Sequence, residues 1–256
     1  MTTEIFSLKG KVAVVIGGAG GIGEGLAKGI GAAGATVVVS SRNQEAIDKV
    51  AAAIKEESGV ETAGITSDVT SEESIEKLVN TVVEKFGTVD ILVNASGLNL
   101  KRPAIDYPVE DWERIFDINV KGTMIACKYF ARVMKEKGKG KIINLSSVRE
   151  IRAYTGGNSA YAATKAAVGM FSKTLALELA EYNVNVNCLG PALIITPGTA
   201  HIKADPELAK KYAALIPMGR IGEPEDLVGT CIFLASSASD FMTGQTLFVD
   251  GGLTTK

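Results

Sequence analysis

Histidine is almost missing from this chain: His201 is the one imidazole among 256 residues. A His-based metal site, or a Ser-His-Asp triad anchored elsewhere, is therefore nearly excluded. If the chain is an enzyme, another side chain moves its protons. Cysteine is scarce as well. Cys127, Cys188 and Cys231 are far apart and odd in number, which reads as three small buried hydrophobes, not a disulfide frame or a metal cluster. No metal is expected. Charge of one sign is lacking too: 27 basic and 29 acidic residues leave a net charge of -2. That is not the electrostatic footprint of a nucleic-acid binder. No apolar run reaches the roughly 18 residues a membrane span needs. The opening stretch "MTTEIFSLKGK" lacks the apolar core of a signal peptide. No Pro/Ser-rich linker or charge block divides the chain. The expectation is a cytoplasmic protein of one domain, 1–256, with a large buried core and neither nucleic acid nor membrane as partner.

What the chain does have is a series of short Val/Ile-rich runs. They are "KVAVVIG" (11–17), "TVVVSS" (36–41), "DILVNAS" (90–96), "KIINLSS" (141–147), "NVNVNCL" (183–189) and "QTLFVDG" (245–251), with a weaker one at "ETAGITS" (61–67). Most are apolar almost without a break, which suits strands buried on both faces. Amphipathic helical patterns alternate with them, such as 43–58 and 71–86. The second has Ser71 at its start and Glu72–Glu73 in its first turn, an N-terminal signal. The pattern predicts an α/β fold: one Rossmann-type, doubly wound parallel sheet of about seven strands with helices on both faces. Ligands of such sheets bind at the carboxyl ends of the strands.

The first strand runs straight into "GGAGGIGEG" (17–25). Gly17, Gly21 and Gly23 give the spacing G-x-x-x-G-x-G, where a tight turn and close backbone approach need residues without Cβ. A helix over about 24–33 then points its N-terminus at a phosphate. Strand, glycine turn and helix in that order are the context a dinucleotide fingerprint requires. The second strand ends in Ser41 and Arg42, where an NAD site would normally carry an acidic residue for the ribose 2′-OH. The planar fork of Arg42 can pair with a 2′-phosphate, so NADP is expected ahead of NAD. Asp68 and Val69, ending the third strand, fall near the adenine in this layout. Asn94, ending the fourth, would stabilise the cofactor floor.

Tyr161 and Lys165 stand four residues apart, on one helix face. Ser146 and Ser147 lie upstream, at the carboxyl end of the fifth strand. A phenol ordinarily ionises near pH 10, and an adjacent ammonium lowers that value. The positive ring of the oxidised cofactor would lower it further. Such a phenol can give a proton to a carbonyl oxygen, or take one from an alcohol. A serine hydroxyl would orient that oxygen.

With these residues in view, the sequence resembles the short-chain dehydrogenase/reductase family along essentially its whole length. The resemblance rests on "GGAGGIG", "NASG" (94–97), "NVKG" (119–122), "YAATK" (161–165), "GPALIIT" (190–196) and "VDGG" (249–252). It implies a catalytic set of Asn119, Ser147, Tyr161 and Lys165. Asn119 would hold a water behind Lys165, and Lys165 and Tyr161 would also meet the cofactor. Ser147 is preferred over Ser146 because the family's serine precedes the tyrosine by about thirteen residues; here the gap is fourteen. Ile22 in the glycine turn, and Pro191 and Thr196 after the sixth strand, are implied cofactor contacts. Departures are Ile16 where the family usually has Thr, Ala95–Ser96 within "NASG", and Ala192 after Pro191. None removes a catalytic group. A homotetramer is implied, with the Tyr161 helix and the "VDGG" end at interfaces.

Specificity should come from strand-end loops at 97–103, 148–158 and 192–216. They carry Lys101, Arg102, Arg149, Arg152, His201 and Lys203 against Glu150 and Asp205. Arg102, Arg149, Arg152 and His201 are the candidate substrate residues, and the local positive excess suits an anionic substrate. The segment 95–112 is similar to the gluconate 5-dehydrogenase-like branch, which reduces keto sugar acids. The expected reaction interconverts a ketone and a secondary alcohol by hydride transfer, on a small sugar-acid-like molecule. A 3-oxoacyl-carrier-protein reductase is the alternative, since basic residues at the mouth could dock an acidic carrier. A catalytically silent NADP-binding sensor is the alternative of another class. The Pro- and Gly-punctuated segment 192–216 reads as a substrate lid, with a short amphipathic helix in "DPELAKKYAALIP".

Overall fold

In the computed structural model, which describes residues 4–255, seven parallel strands form one sheet. The first three residues of the N-terminal stretch, and Lys256, lie outside the described residues. The strands are β1 Val12–Ile16, β2 Thr36–Ser41, β3 Thr62–Thr66, β4 Ile91–Asn94, β5 Gly140–Leu145, β6 Val184–Pro191 and β7 Thr246–Val249. Their order is β3-β2-β1-β4-β5-β6-β7. The chain winds outward from β1 on one side and restarts at β4 on the other. That reversal opens a crevice at the carboxyl ends of β1 and β4, where an α/β sheet binds ligands.

Alternation explains why the strands read as unbroken apolar runs. Ala13 and Val15 of β1 enter one core cluster, with Leu26, Ile30, Ile47 and Leu227. Val12, Val14 and Ile16 enter the other, with Ile75, Leu78, Phe130 and Met134. Successive side chains point to opposite faces, and both faces are covered.

The helices are α1 Gly21–Ala32, α2 Gln44–Ser58, α3 Glu72–Phe86, α4 Val109–Phe116, α5 Gly122–Lys137, α6 Ser159–Leu179, α7 Ala200–Ala204, α8 Pro206–Ala213 and α9 Glu225–Ala235. Ser71 caps α3 as the sequence suggests, its hydroxyl accepting from Ser74 N at 3.2 Å. Asn43 caps α2 through Ala46 N at 3.0 Å. Each such cap stabilises its helix by about 1 kcal/mol. One boundary differs from the reading of the sequence. Helix α1 begins at Gly21, not near residue 24, and its N-cap Gly20 offers no side chain. The first-turn N–H groups are thus left for a ligand at the crevice.

Candidate active site

The glycine turn is as close as its composition implies. Gly17 has φ 81°, and a Cβ there would sit 2.6 Å from Ser96 N. A Cβ on Gly23 would sit 2.2 Å from Gly17 O. The β1 turn is thereby pressed against the loop after β4 and the first turn of α1. A Cβ on Gly21 would lie 3.4 Å from the Thr196 side chain, so the start of the 192–216 segment stands over this turn. Ile22 packs on the core beneath.

Above the turn lies a cleft of about 700 Å³. Gly17, Ser41, Arg42, Asp68, Val69 and Ser96 are among its lining residues. Asp68 accepts from Thr70 N at 2.9 Å and from Thr70 Oγ1 at 2.8 Å. The Thr70 backbone bond chiefly holds its carboxyl below the ordinary value, with a smaller pull from Arg42. Asn94 is buried, donating to Asn144 Oδ1 at 2.8 Å. The far wall is α4, with Glu110, Glu113 and Arg114. The sequence reading did not single out α4; its charged amphipathic pattern directly after the "NASG" loop was the available signal. An uncapped helix N-terminus, a cradle that any Cβ would fill and a cleft of this size fit a dinucleotide.

Tyr161 and Lys165 lie in the first two turns of α6, beyond the end of β5. Lys165 is 4% exposed, and its ammonium donates to Leu145 O at 2.6 Å. Burial pushes it down to about 8. Asn119 occupies a π-helical turn, Asp117–Lys121, between α4 and α5; such turns recur at functional sites. Its Nδ2 donates to Leu98 O at 2.9 Å and to Thr164 Oγ1 at 3.0 Å, and its Oδ1 accepts from Leu98 N at 2.7 Å. One amide therefore ties the loop after β4 to the Tyr161 helix. Ser147 is buried, its Oγ accepting from Arg149 N at 3.2 Å and donating to Pro191 O at 3.5 Å. Ser146 turns away to Glu150.

The Tyr161 phenol differs from the expectation that Lys165 lowers it. Burial holds it above its ordinary value, while Ser147 and then Arg149 pull it back. The physical reason is that the Lys165 ammonium is turned to Leu145 O, 5.6 Å from the centre of the tyrosine ring.

The expected cluster of substrate-side charges divides. Arg149 is half-buried, stacked at 4.3 Å over the Tyr154 ring, with Nη1 donating to Arg152 O at 3.4 Å. Arg152 and Tyr154 line a small cavity of about 50 Å³ with Leu193, Tyr212, Leu215 and Ile216. Arg102 is instead paired with Asp111 at 3.3 Å. His201 is exposed on α7. Lys203 pairs with Glu223 at 3.2 Å, and Asp205 caps α8. Glu150 is not a loop charge facing these cations; it is buried under β7 and α6. The three cysteines are free and buried, their thiols pushed up to between about 11 and about 12 by burial. Among the described residues, no three His, Cys, Asp or Glu side chains group as metal ligands.

Fold and cleft together define a Rossmann-type α/β protein with a cleft of dinucleotide size. A family model described as enoyl-(acyl carrier protein) reductase matches residues 17–254. The 3β-hydroxysteroid dehydrogenase 1 of Eggerthella lenta is 40% identical over 248 residues, covering 96% of this chain and 95% of that one. The gluconate 5-dehydrogenase of Gluconobacter oxydans is 36% identical over 251 residues, covering 98% and 97%. The crystal structure of a gluconate 5-dehydrogenase from Burkholderia cenocepacia, in complex with NADP and tartrate, superposes with a TM-score of 0.95 at 35% identity over all of both chains. The chain belongs to the short-chain dehydrogenase/reductase family and is an oxidoreductase of that family.

Proposed function

We propose that the protein interconverts a ketone and a secondary alcohol with NADP, on a polar, anionic, sugar-acid-like substrate. The observation that carries this reading is the buried Lys165, in the same helix as Tyr161, whose ammonium lies 3.9 Å from where a Cβ on Gly97, a residue lining the dinucleotide cleft, would sit. The nicotinamide, when bound, supplies or takes the hydride. Tyr161 passes the proton to or from the substrate oxygen, and Ser147 orients that oxygen. Lys165 meets the ribose hydroxyls. Asn119 holds the loop after β4 against α6. Gly17, Gly21, Ile22 and Gly23 cradle the pyrophosphate, Asp68 and Val69 flank the adenine, and Pro191 and Thr196 flank the carboxamide end. Asn94 acts from beneath the cleft through Asn144.

Ser41 and Arg42 at the cleft edge support NADP over NAD, as does the NADP complex of the Burkholderia neighbour. Arg149, half-buried beside the tyrosine, is the favoured seat for a substrate anion, with Arg152 behind it. Arg102 and His201 act at the mouth. The gluconate dehydrogenases among the relatives support the sugar-acid class. A second reading, an apolar ketone, draws on the cavity walled by Leu193, Leu215 and Ile216 and on the hydroxysteroid dehydrogenase relative.

The test is oxidation of NADPH and NADH by purified protein against keto sugar acids, steroid ketones and acetoacetyl thioesters. Turnover of a keto acid with NADPH supports the proposal. Turnover of steroids or thioesters alone replaces the substrate while leaving the tetrad in place.

The protein acts as a homotetramer in this reading. Met170 and Leu177, 63% and 79% exposed along α6, support an interface on the Tyr161 helix. No helix among the described residues is long and apolar enough to cross a membrane.

A further inference from the structure

The neighbours Arg149 and Glu150 leave their turn in different directions. Arg149 stacks over the Tyr154 ring at 4.3 Å, while the Glu150 side chain enters the protein and is 6% exposed. Its Oε2 accepts the Ser146 hydroxyl at 2.7 Å. Thr246 Oγ1, on β7, lies 3.1 Å from Oε1 and 3.2 Å from Oε2. The Lys173 ammonium on α6 is 3.9 Å from Oε1, longer than a charge-assisted hydrogen bond. The carboxylate also covers Gly169, where a Cβ would come within 2.3 Å of Cδ.

Gly169 lies four residues beyond Lys165 and eight beyond Tyr161, so the three share a helix face. One carboxylate thus joins the end of β5, strand β7 and the catalytic face of α6. Burying a carboxylate is costly unless its oxygens are met by donors. The proton and hydride chemistry proposed above makes no direct use of this one.

We propose that Glu150 is a positioning residue: it locks the Ser146–Ser147 turn against α6, so that the Ser147 hydroxyl meets the Tyr161 phenol. This inference rests on the roles of Ser147 and Tyr161 proposed above. Its consequence has a sign. A Ser147 hydroxyl aimed at Tyr161 favours the phenolate, so releasing Ser147 makes Tyr161 harder to ionise. Removing a negative charge, through space alone, makes Tyr161 easier to ionise. A general loss of stability does neither.

Ultraviolet difference titration reads this without any substrate. Each protein is titrated against its own Tyr161→Phe counterpart, so that only Tyr161 contributes. Glu150→Ala is expected to raise the Tyr161 midpoint by about as much as Ser147→Ala, and the double variant to raise it no further. Glu150→Gln, which keeps the shape, is expected to restore the midpoint. Thr246→Val, which deletes one donor to the carboxylate, is the second probe should Glu150→Ala not fold, and it too is expected to raise the midpoint. A midpoint that falls in Glu150→Ala, that adds to the Ser147→Ala effect, or that stays fixed in Thr246→Val overturns the proposal. If Ser147→Ala itself leaves Tyr161 unmoved, the roles assigned to the serine and tyrosine fail first, and the positioning role falls with them.

Discussion

At the scale of single residues, the site sets a lysine against its ordinary chemistry. The Lys165 ammonium is buried and drops to about 8 from 10.5. Below that folded value the ammonium is charged in both the folded and unfolded states, and the full cost of burying it is present. Between about 8 and 10.5 the unfolded chain binds more protons than the folded one, so stability rises with pH in that window. The melting temperature of the cofactor-free protein is therefore expected to gain on that of Lys165→Met as pH rises from 8 to 10.5. A constant difference across that range would show that the ammonium is not desolvated. A charge-assisted pair with a phosphate contributes about 1.5–3 kcal/mol, or roughly ten- to hundredfold in affinity. Arg42→Ala is expected to weaken NADPH binding by that factor in a direct titration and to leave NADH nearly unchanged.

At the scale of elements, the contact between Gly17 and Gly23 sets the mouth of the crevice. Gly23→Ala would bring a Cβ to 2.2 Å from Gly17 O. The turn must open, and dinucleotide binding is expected to be lost while the circular dichroism of the sheet is kept. The segment 192–216 is argued to be a lid from its thin attachment. Between Thr196 and Leu215, Ile202 is the one buried side chain, and the turn hydrogen bonds stay within that stretch, while Ala192, Leu193 and Ile195 anchor its start to Val249 and Gly222. Few buried contacts mean low local stability. Hydrogen exchange of the cofactor-free protein is expected to be far faster there than in β5; equal protection would contradict a lid. Elements are also where the sequence was most legible. Most strands stand where Val/Ile-rich runs stop at small or polar residues, because burial on both faces favours such runs; β3, with one Ile and no buried residue, was the weaker signal. The early start of α1 was not legible, because glycines that make the turn also read as helix breakers. The π-helical turn at Asn119 was not legible either: one extra residue shifts the helical phase by about 100° but leaves the residue types those of an ordinary helix. Glu150 misled for a related reason. Next to Arg149 and Arg152 in sequence it resembles a loop charge, and only the bare Gly169 on a distant helix makes room for it.

At the scale of the whole molecule, exposed apolar groups mark where further copies would pack. Met170 and Leu177 on α6 are too large and too exposed to be left in water without cost. For the homotetramer proposed above, Leu177→Glu is expected to give smaller species in sedimentation velocity; an unchanged profile would place the interface elsewhere. The central claim is that this sheet carries a nicotinamide-linked oxidoreductase site in which Tyr161 moves the proton. Its most direct test is the rate of NADPH oxidation with a keto sugar acid, measured side by side for the protein and for Tyr161→Phe. Removing the general acid is expected to lower kcat by a factor of about a hundred to ten thousand, with NADPH binding unchanged. Turnover retained within about twofold, far below what loss of a general acid costs, would contradict the account.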